Sequence, residues 1–206
     1  MASRTRGGLV VVALVALAGA YFAPKLFDKL GSMVSDVTGA NDAVTVGAGD
    51  SAIMVAADAS PKVAPCDPAQ ILHERECAGL HILVVDATRM PFIARNTKLA
   101  WESGRPAVLT MNRPKQDANR AIACPRTFPT PHDGQCDEYP LASTNEGGRG
   151  ARTEEVPKRE NRCQGGSNVR QYPRDGEKFL VIISHPDLIA PGPFAGADLA
   201  KDQVQC

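Results

Sequence analysis

Apolar residues occur along the chain in short runs that polar, turn-rich stretches separate. The run His81–Val85 is typical of a buried strand, and a turn ending in Pro91 follows it. Apolar residues at helical spacing then predict a helix that continues to Trp101 and ends before Gly104. Further strands are predicted over Pro106–Met111 and Lys178–Ser184, with a polar loop over residues 112–131. The pattern predicts a small α+β domain with a short central sheet.

The first 65 residues have a different pattern from the rest of the chain. Two arginines precede an apolar run of 15 residues, Leu9–Ala23, which is shorter than a membrane span requires. This layout predicts a secretory signal peptide over residues 1–20, with an uncleaved anchor as the alternative. Residues 21–65 are rich in small residues and predict a flexible linker. We expect the folded domain over residues 66–190 and a Pro/Gly-rich tail over residues 191–206.

The charge balance limits how this chain could bind nucleic acid. It has 23 Lys and Arg against 23 Asp and Glu, and therefore a formal net charge of zero. A protein that coats nucleic acid needs many unpaired cationic side chains to displace counterions from phosphates. The composition therefore excludes an avid coat protein, but it leaves open an enzyme that contacts nucleic acid and releases it.

All six cysteines lie beyond the predicted signal, as expected for disulfides in an exported protein. Six thiols allow 15 connectivities, so the sequence does not fix the pairing. The short loops favour Cys66 with Cys77 and Cys124 with Cys136, which leaves Cys163 with Cys206. A zinc site is the rival interpretation, but the C-x2-C spacing that it usually requires is absent from the sequence.

The most polar part of the predicted domain runs from Cys136 to Tyr172. Long ordered loops usually carry function, and this one holds residues that suit a hard cation such as Mg2+ or Mn2+. The carboxylates are Asp137, Glu138 and Glu146, and the amides are Asn161, Gln164, Asn168 and Gln171. In a helix these amides would lie on one face. A merely solvated amide face is the alternative, and Gly165 with Gly166 weakens the helix prediction.

Two strings in this stretch, CDEYPLASTNEGG and ENRCQGG, resemble the NucA/NucB-type secreted deoxyribonucleases. The resemblance covers roughly residues 80 to 184, although Leu141 stands where an aromatic residue is expected. It implies a site like that of the ββα-metal nucleases, in which Asp137 replaces their histidine as general base. An aspartate is a weak base, so burial or a neighbouring acid, Glu138 or Glu146, must raise its pKa.

The resemblance also implies a set of ligands and a substrate. Glu146 and Asn161 would hold Mg2+ or Mn2+ together with Gln164, and the catalytic set would be Asp137, Glu138, Glu146 and Asn161. Glu146 could instead be only a turn residue before two glycines. The expected contacts to the DNA backbone are Arg149, Arg162, Asn168 and Gln171, although any arginine here could be an ordinary surface charge.

The sequence therefore predicts a secreted, metal-dependent deoxyribonuclease that cuts DNA without regard to sequence and acts as a monomer. Contacts to the backbone alone would make it nonspecific. The alternative is a non-catalytic, secreted, disulfide-rich binding module that presents the same charged stretch to a partner.

Overall fold

The computed structural model of the protein describes residues 42–203. The predicted signal peptide, the beginning of the predicted linker and Cys206 lie outside these residues. The strands are β1 (Ala43–Val46), β2 (Ile53–Ala56), β3 (Glu76–Cys77), β4 (Leu80–Asp86), β5 (Val108–Thr110), β6 (Gln135–Tyr139), β7 (Arg152–Val156) and β8 (Lys178–Ser184). The α-helices are α1 (Ser60–Val63), α2 (Pro68–Glu74), α3 (Pro91–Glu102), α4 (Gln116–Ala123) and α5 (Lys158–Gln171).

The central sheet has six strands and is built around β8. Strand β4 pairs with β8 in parallel along its whole length, from His81 opposite Phe179 to Asp86 opposite Ser184. On the other side of β8, β5 pairs with its first residues and β2 with its last. The apolar runs that predicted β4 and β8 are buried on both faces, as expected for strands at the centre of a sheet. The predicted α+β class is confirmed.

A second, two-stranded sheet lies outside the central one. Its strands β6 and β7 are antiparallel, with Asp137 opposite Glu154, and α5 follows them directly in the chain. Helix α3 packs against both sheets, and α5 packs against β4 and β6. Helix α3 begins at Pro91 as predicted, and it buries residues that include Phe92, Ile93 and Trp101. The two helices therefore fix β6 against the central sheet.

Three segments that the sequence predicts to be irregular, a linker, a loop and a tail, contain ordered structure. The expected linker contains β1 and β2, and Ile53, Val55 and Val63 are fully buried. A sequence of small residues there conceals two short strands because each strand has only four residues. The expected loop over residues 112–131 contains α4, and in the expected tail the ring of Phe194 packs edge-to-face against Phe92 at 5.4 Å.

Two disulfides confirm two of the favoured pairings. Cys66 is bonded to Cys77 and Cys124 to Cys136. The third pairing involves Cys206, which lies outside the described residues. None of the helices within residues 42–203 combines the length and apolar character needed to cross a bilayer.

Candidate active site

The side chain of Asp137 on β6 is almost completely enclosed. Antiparallel pairing with β7 directs alternate side chains of β6 to opposite faces, and Asp137 points into the protein with only 1% of its surface exposed. Its Oδ2 accepts a hydrogen bond of 2.8 Å from Nδ2 of Asn96 on α3. The same Nδ2 also lies 3.3 Å from the backbone oxygen of Asp137. The carboxyl group is therefore fixed at one oxygen.

The amide of Asn96 is itself oriented by a cation. Its Oδ1 accepts a hydrogen bond of 2.5 Å from the guanidinium of Arg152 on β7, so its Nδ2 must face Asp137. Arg152 also contacts Glu154, which binds Arg95. A chain of polar side chains between α3 and β7 thus fixes the position of the Asp137 carboxyl group.

The second oxygen of Asp137 is not held in this way. Among residues 42–203, Oδ1 has no hydrogen-bond partner, although it is buried. The side chain of Gln164 on α5 lies close enough to Asp137 to favour its ionised form. A buried oxygen without a partner is costly, and such atoms call for a ligand, a water or a catalytic role.

The environment of Asp137 raises its pKa to about 7, and burial is the main cause. The negative charge of Glu138 raises the pKa further, while Asn96, Arg120 and Gln164 oppose the shift. Glu146, which the sequence offered as an alternative cause, is not among these groups. A carboxyl group with this pKa exchanges protons near neutral pH, as a general base requires.

Glu138 points to the opposite face of β6 and lines an open cavity of about 90 Å³. Its side chain is 4% exposed, and its two oxygens bind Nε and an Nη of Arg120 on α4 at 3.1 and 3.3 Å. Burial raises the pKa of Glu138, and Arg120 opposes this effect. The adjacent carboxylates Asp137 and Glu138 therefore have different surroundings, as the alternation along a strand predicts. Asp137 is not among the residues that line the cavity.

Helix α5 contributes two of the predicted amides to the same cavity, Asn161 and Gln164. Nδ2 of Asn161 donates to the backbone oxygen of Cys136 at 3.1 Å and lies 3.3 Å from Oε1 of Gln135. Because these bonds use only its nitrogen, Oδ1 of Asn161 is left to face a ligand. Gln164 links the two parts of the site, since it lines the cavity and also lies beside Asp137.

The other predicted amides and arginines are not all part of this cluster. Gln171 binds the backbone of Val84 with both its oxygen and its nitrogen, so it anchors α5 to the central sheet. Arg149 and Arg162 are exposed. The side chain of Asn168 lies outside the described part of the structure. The expected stripe of four amides is thus divided, with Asn161 and Gln164 at the cavity and Gln171 at β4.

Glu146 lies apart from this cavity as well. Its Oε2 accepts a hydrogen bond of 2.9 Å from the backbone nitrogen of Thr110 at the end of β5, and Glu146 is not among the lining residues. The turn after Glu146 requires both glycines. A Cβ on Gly147 would lie 2.4 Å from the backbone oxygen of Leu141, and Gly148 has a φ of +86°. The structure therefore favours the turn interpretation of Glu146 and does not join it to Asn161.

Glu160 is a buried carboxyl group to which the sequence analysis gave no role. It is fully buried, and its Oε2 accepts hydrogen bonds from the backbone nitrogens of Phe92 and Ile93 at 3.0 and 3.1 Å. Helix α3 begins at a proline without a side-chain cap of its own, so its first nitrogens need an acceptor from elsewhere. Burial raises the pKa of Glu160 to about 8 despite these bonds. In the sequence, only the lack of a capping side chain before Pro91 indicates that an acceptor from another segment is needed there.

The donor groups at the cavity fit a hard cation better than zinc. Within residues 42–203, the only group of three His, Cys, Asp or Glu side chains close enough to share an ion is Cys124, Cys136 and Glu138. Its two sulfurs are joined in a disulfide, so they are not thiolate ligands. Glu138, Asn161 and Gln164 instead supply one carboxylate and two amides. Magnesium binds in this way, with one or two carboxylates and several waters.

Comparison with known proteins finds relatives of part of the chain. Residues 93–182 match the family described as Deoxyribonuclease NucA/NucB. The chain is also 33% identical over 98 residues to the DNA-entry nuclease of Bacillus subtilis (strain 168). That alignment covers 46% of this chain and 65% of the relative, which is slightly less than two thirds of its length. Both the buried carboxyl groups and the cavity amides lie in the matched segment.

Proposed function

The chain belongs to the NucA/NucB deoxyribonuclease family through residues 93–182, and we propose on this premise that it hydrolyses DNA. The proposed enzyme is a secreted, monomeric, metal-dependent endonuclease that does not read sequence. The two disulfides seen within residues 42–203 suit an oxidising compartment. The family match and the similarity to a nuclease support DNA as the substrate.

One observation carries the proposal, the buried carboxyl group of Asp137. Its pKa of about 7, its fixed Oδ2 and its unpaired Oδ1 are the properties of a group that removes a proton from water near neutral pH. The resulting hydroxide would attack the phosphorus of the scissile diester, and the bond from phosphorus to one sugar oxygen would break. That oxygen would take a proton from water and leave as a hydroxyl group, and Asp137 would return its proton to solvent. Asn96 would position the carboxyl group through this step without touching the substrate.

A Mg2+ or Mn2+ ion would be held at the cavity by Glu138 and by the amide oxygens of Asn161 and Gln164. When bound, such a cation stabilises the negative charge that develops on the phosphate and on the departing oxygen. The side chain of Arg120 is 48% exposed and lines the same cavity, so its guanidinium can also contact a phosphate oxygen. These contacts involve no base, which agrees with cleavage that ignores sequence.

Cleavage of supercoiled plasmid by the full chain tests this proposal. We expect nicking with Mg2+ or Mn2+, loss of nicking with EDTA and recovery when the cation is restored. Asp137→Ala should lower the rate by at least about 100-fold, the usual contribution of a general base. Asp187→Ala, which changes an exposed aspartate, is the matched control and should leave the rate unchanged. Circular dichroism of each variant verifies the fold.

Two results would contradict the proposal. If the wild-type chain degrades no DNA with either cation, the alternative of a non-catalytic binding module takes its place. If Asp137→Ala cleaves as fast as the wild type, the chain is a nuclease but Asp137 is not its base.

A further inference from the structure

Helix α5 contains two adjacent glycines that neither its backbone conformation nor its packing requires. Gly165 and Gly166 lie in the middle of a helix of 14 residues, where glycine is unfavourable relative to alanine. Neither has the positive φ that would require glycine. A Cβ at either position would meet no atom of the described structure within 4 Å, beyond its own helix backbone and chain neighbours. By contrast, Gly134 and Gly147 are closely packed against other residues.

These glycines lie on an exposed strip of α5 at the rim of the cavity. At 100° per residue, Gly165, Val169, Arg162, Gly166 and Arg170 fall within an arc of about 140°. Gly165 and Val169 line the cavity together with Asn161 and Gln164, and Val169 is 62% exposed. We refer to these five residues of the arc as the α5 strip.

The charge of the α5 strip is positive and unpaired. Arg162 and Arg170 are exposed, and neither forms an ion pair with any residue in the range 42–203. The strip carries no acidic residue, because Glu160 faces the interior. The two arginines are eight residues apart, which is about 12 Å along a helix. A smooth surface with a cation at each end is complementary to an extended polyanion.

We infer that the α5 strip is the surface on which the sugar–phosphate backbone of one DNA strand lies as it enters the cavity. Gly165 and Gly166 allow this backbone to approach the helix closely, since any side chain there would hold it away. Arg162 and Arg170 bind phosphates on either side of the glycines. The inference rests on the proposed function, since it names the surface that brings DNA to the proposed active site.

Alanine substitutions separate this role from a role in folding. Gly165→Ala and Gly166→Ala should each raise Tm by about 2–4 °C, because alanine favours the helix and the site has room for a methyl group. The same variants should lower kcat/KM for DNA cleavage by roughly tenfold, mainly through KM, as expected for the loss of about one hydrogen bond to a phosphate. Gly192→Ala is the control, because Gly192 also has open space around it and lies outside the strip.

A binding measurement tests the surface even if the chain does not cleave DNA. A labelled short duplex is titrated with the Asp137→Ala variant, with and without Gly165→Ala and Gly166→Ala, and its fluorescence anisotropy is followed. The glycine substitutions should weaken binding by roughly tenfold in this background as well. Arg162→Ala and Arg170→Ala should each reduce the slope of log K against log salt concentration by about 1.

Three outcomes would overturn the inference. Glycine variants that cleave and bind DNA like the wild type would show that DNA does not approach this strip. Variants with a lower Tm would show that the glycines serve the fold. Unchanged salt slopes in both arginine variants would show that these side chains bind no phosphate. Absence of cleavage in the wild type, with binding that still depends on the strip, would contradict only the proposed function.

Discussion

The central sheet and the layer formed by β6 and α5 bury very different groups. In the sheet, β4 and β8 bury aliphatic side chains such as Val84, Leu180 and Ile182, and their backbone groups pair along the whole parallel ladder. The outer layer buries the carboxyl groups of Asp137, Glu138 and Glu160. An oxygen of Asp137 and one of Glu160 have no hydrogen-bond partner among the residues described. The sheet therefore buries apolar groups, whereas the outer layer buries ionisable ones.

This difference has an energetic meaning. Each aliphatic side chain of the sheet stabilises the fold when it leaves water. A buried carboxylate has the opposite effect, because ionisation in a poorly solvated site is unfavourable and raises the pKa. Stability contributed by the sheet offsets the cost of holding Asp137 and Glu160 in this state. Substitutions in the two regions should therefore separate stability from activity.

The largest effect on stability is expected from the sheet. Leu180 is fully buried in β8, and Leu180→Ala should destabilise the protein by about 2–5 kcal/mol through lost burial and the cavity that remains. Chemical denaturation measures this free energy of unfolding. The control is Leu188→Ala, because Leu188 is 48% exposed and its loss should matter little. A similar loss in both variants would show that the sheet is not the stabilising region.

The two disulfides offer a second, matched comparison. Their sequence separations are 11 and 12 residues, so replacing either pair with alanine should cost a similar amount, about 3 kcal/mol. Only Cys124 and Cys136 constrain β6 beside Asp137. Their replacement should also slow cleavage by about 10- to 100-fold, because a small misplacement of a catalytic group is costly. Equal cleavage rates in the two double variants would contradict the assigned location of the site.

The smallest expected effect is a dependence on pH. A general base acts in its ionised form, and the pKa of Asp137 is raised to about 7 by burial and by Glu138. Below that pH, kcat/KM should therefore fall about tenfold per pH unit, and above it the profile should level off. Plasmid cleavage measured between about pH 5 and 9 tests this slope. A rate that is already constant at pH 5 would contradict the raised pKa.

The sequence predicts the parts of the fold that local patterns determine. The apolar runs of β4 and β8 and the proline at the start of α3 are sufficient to predict these elements. The strands β1 and β2 have four residues each, and the pairing of β2 with β8 is a tertiary contact that no local pattern reveals. Helix α4 was missed because half of its residues are polar and none of its residues is buried.

The site shows the same division between local and distant contacts. The motif around Asp137 and the helix face with Asn161 and Gln164 can be identified along the chain. Asn96 lies 41 residues before Asp137, and its role depends on how α3 packs against β6. The helix cap provided by Glu160 is likewise a contact between distant segments. The grouping of Glu146 with the cavity amides stays a prediction, and nearness in sequence does not indicate that its side chain binds Thr110.

Asp137→Asn, measured for both stability and cleavage, tests the central claim most directly. The folded pKa of about 7 lies above the ordinary value of 3.8, so stability that is complete below pH 3.8 is lost as the pH rises to 7. At pH 8 in EDTA, the neutral amide should therefore stabilise the fold by about 2–4 kcal/mol, and it should not do so at pH 3.5. With Mg2+ or Mn2+ at pH 8, the same variant should cleave DNA at least about 100-fold more slowly than the wild type. A variant that is less stable than the wild type at pH 8, or that still cleaves DNA at the wild-type rate, would contradict the account.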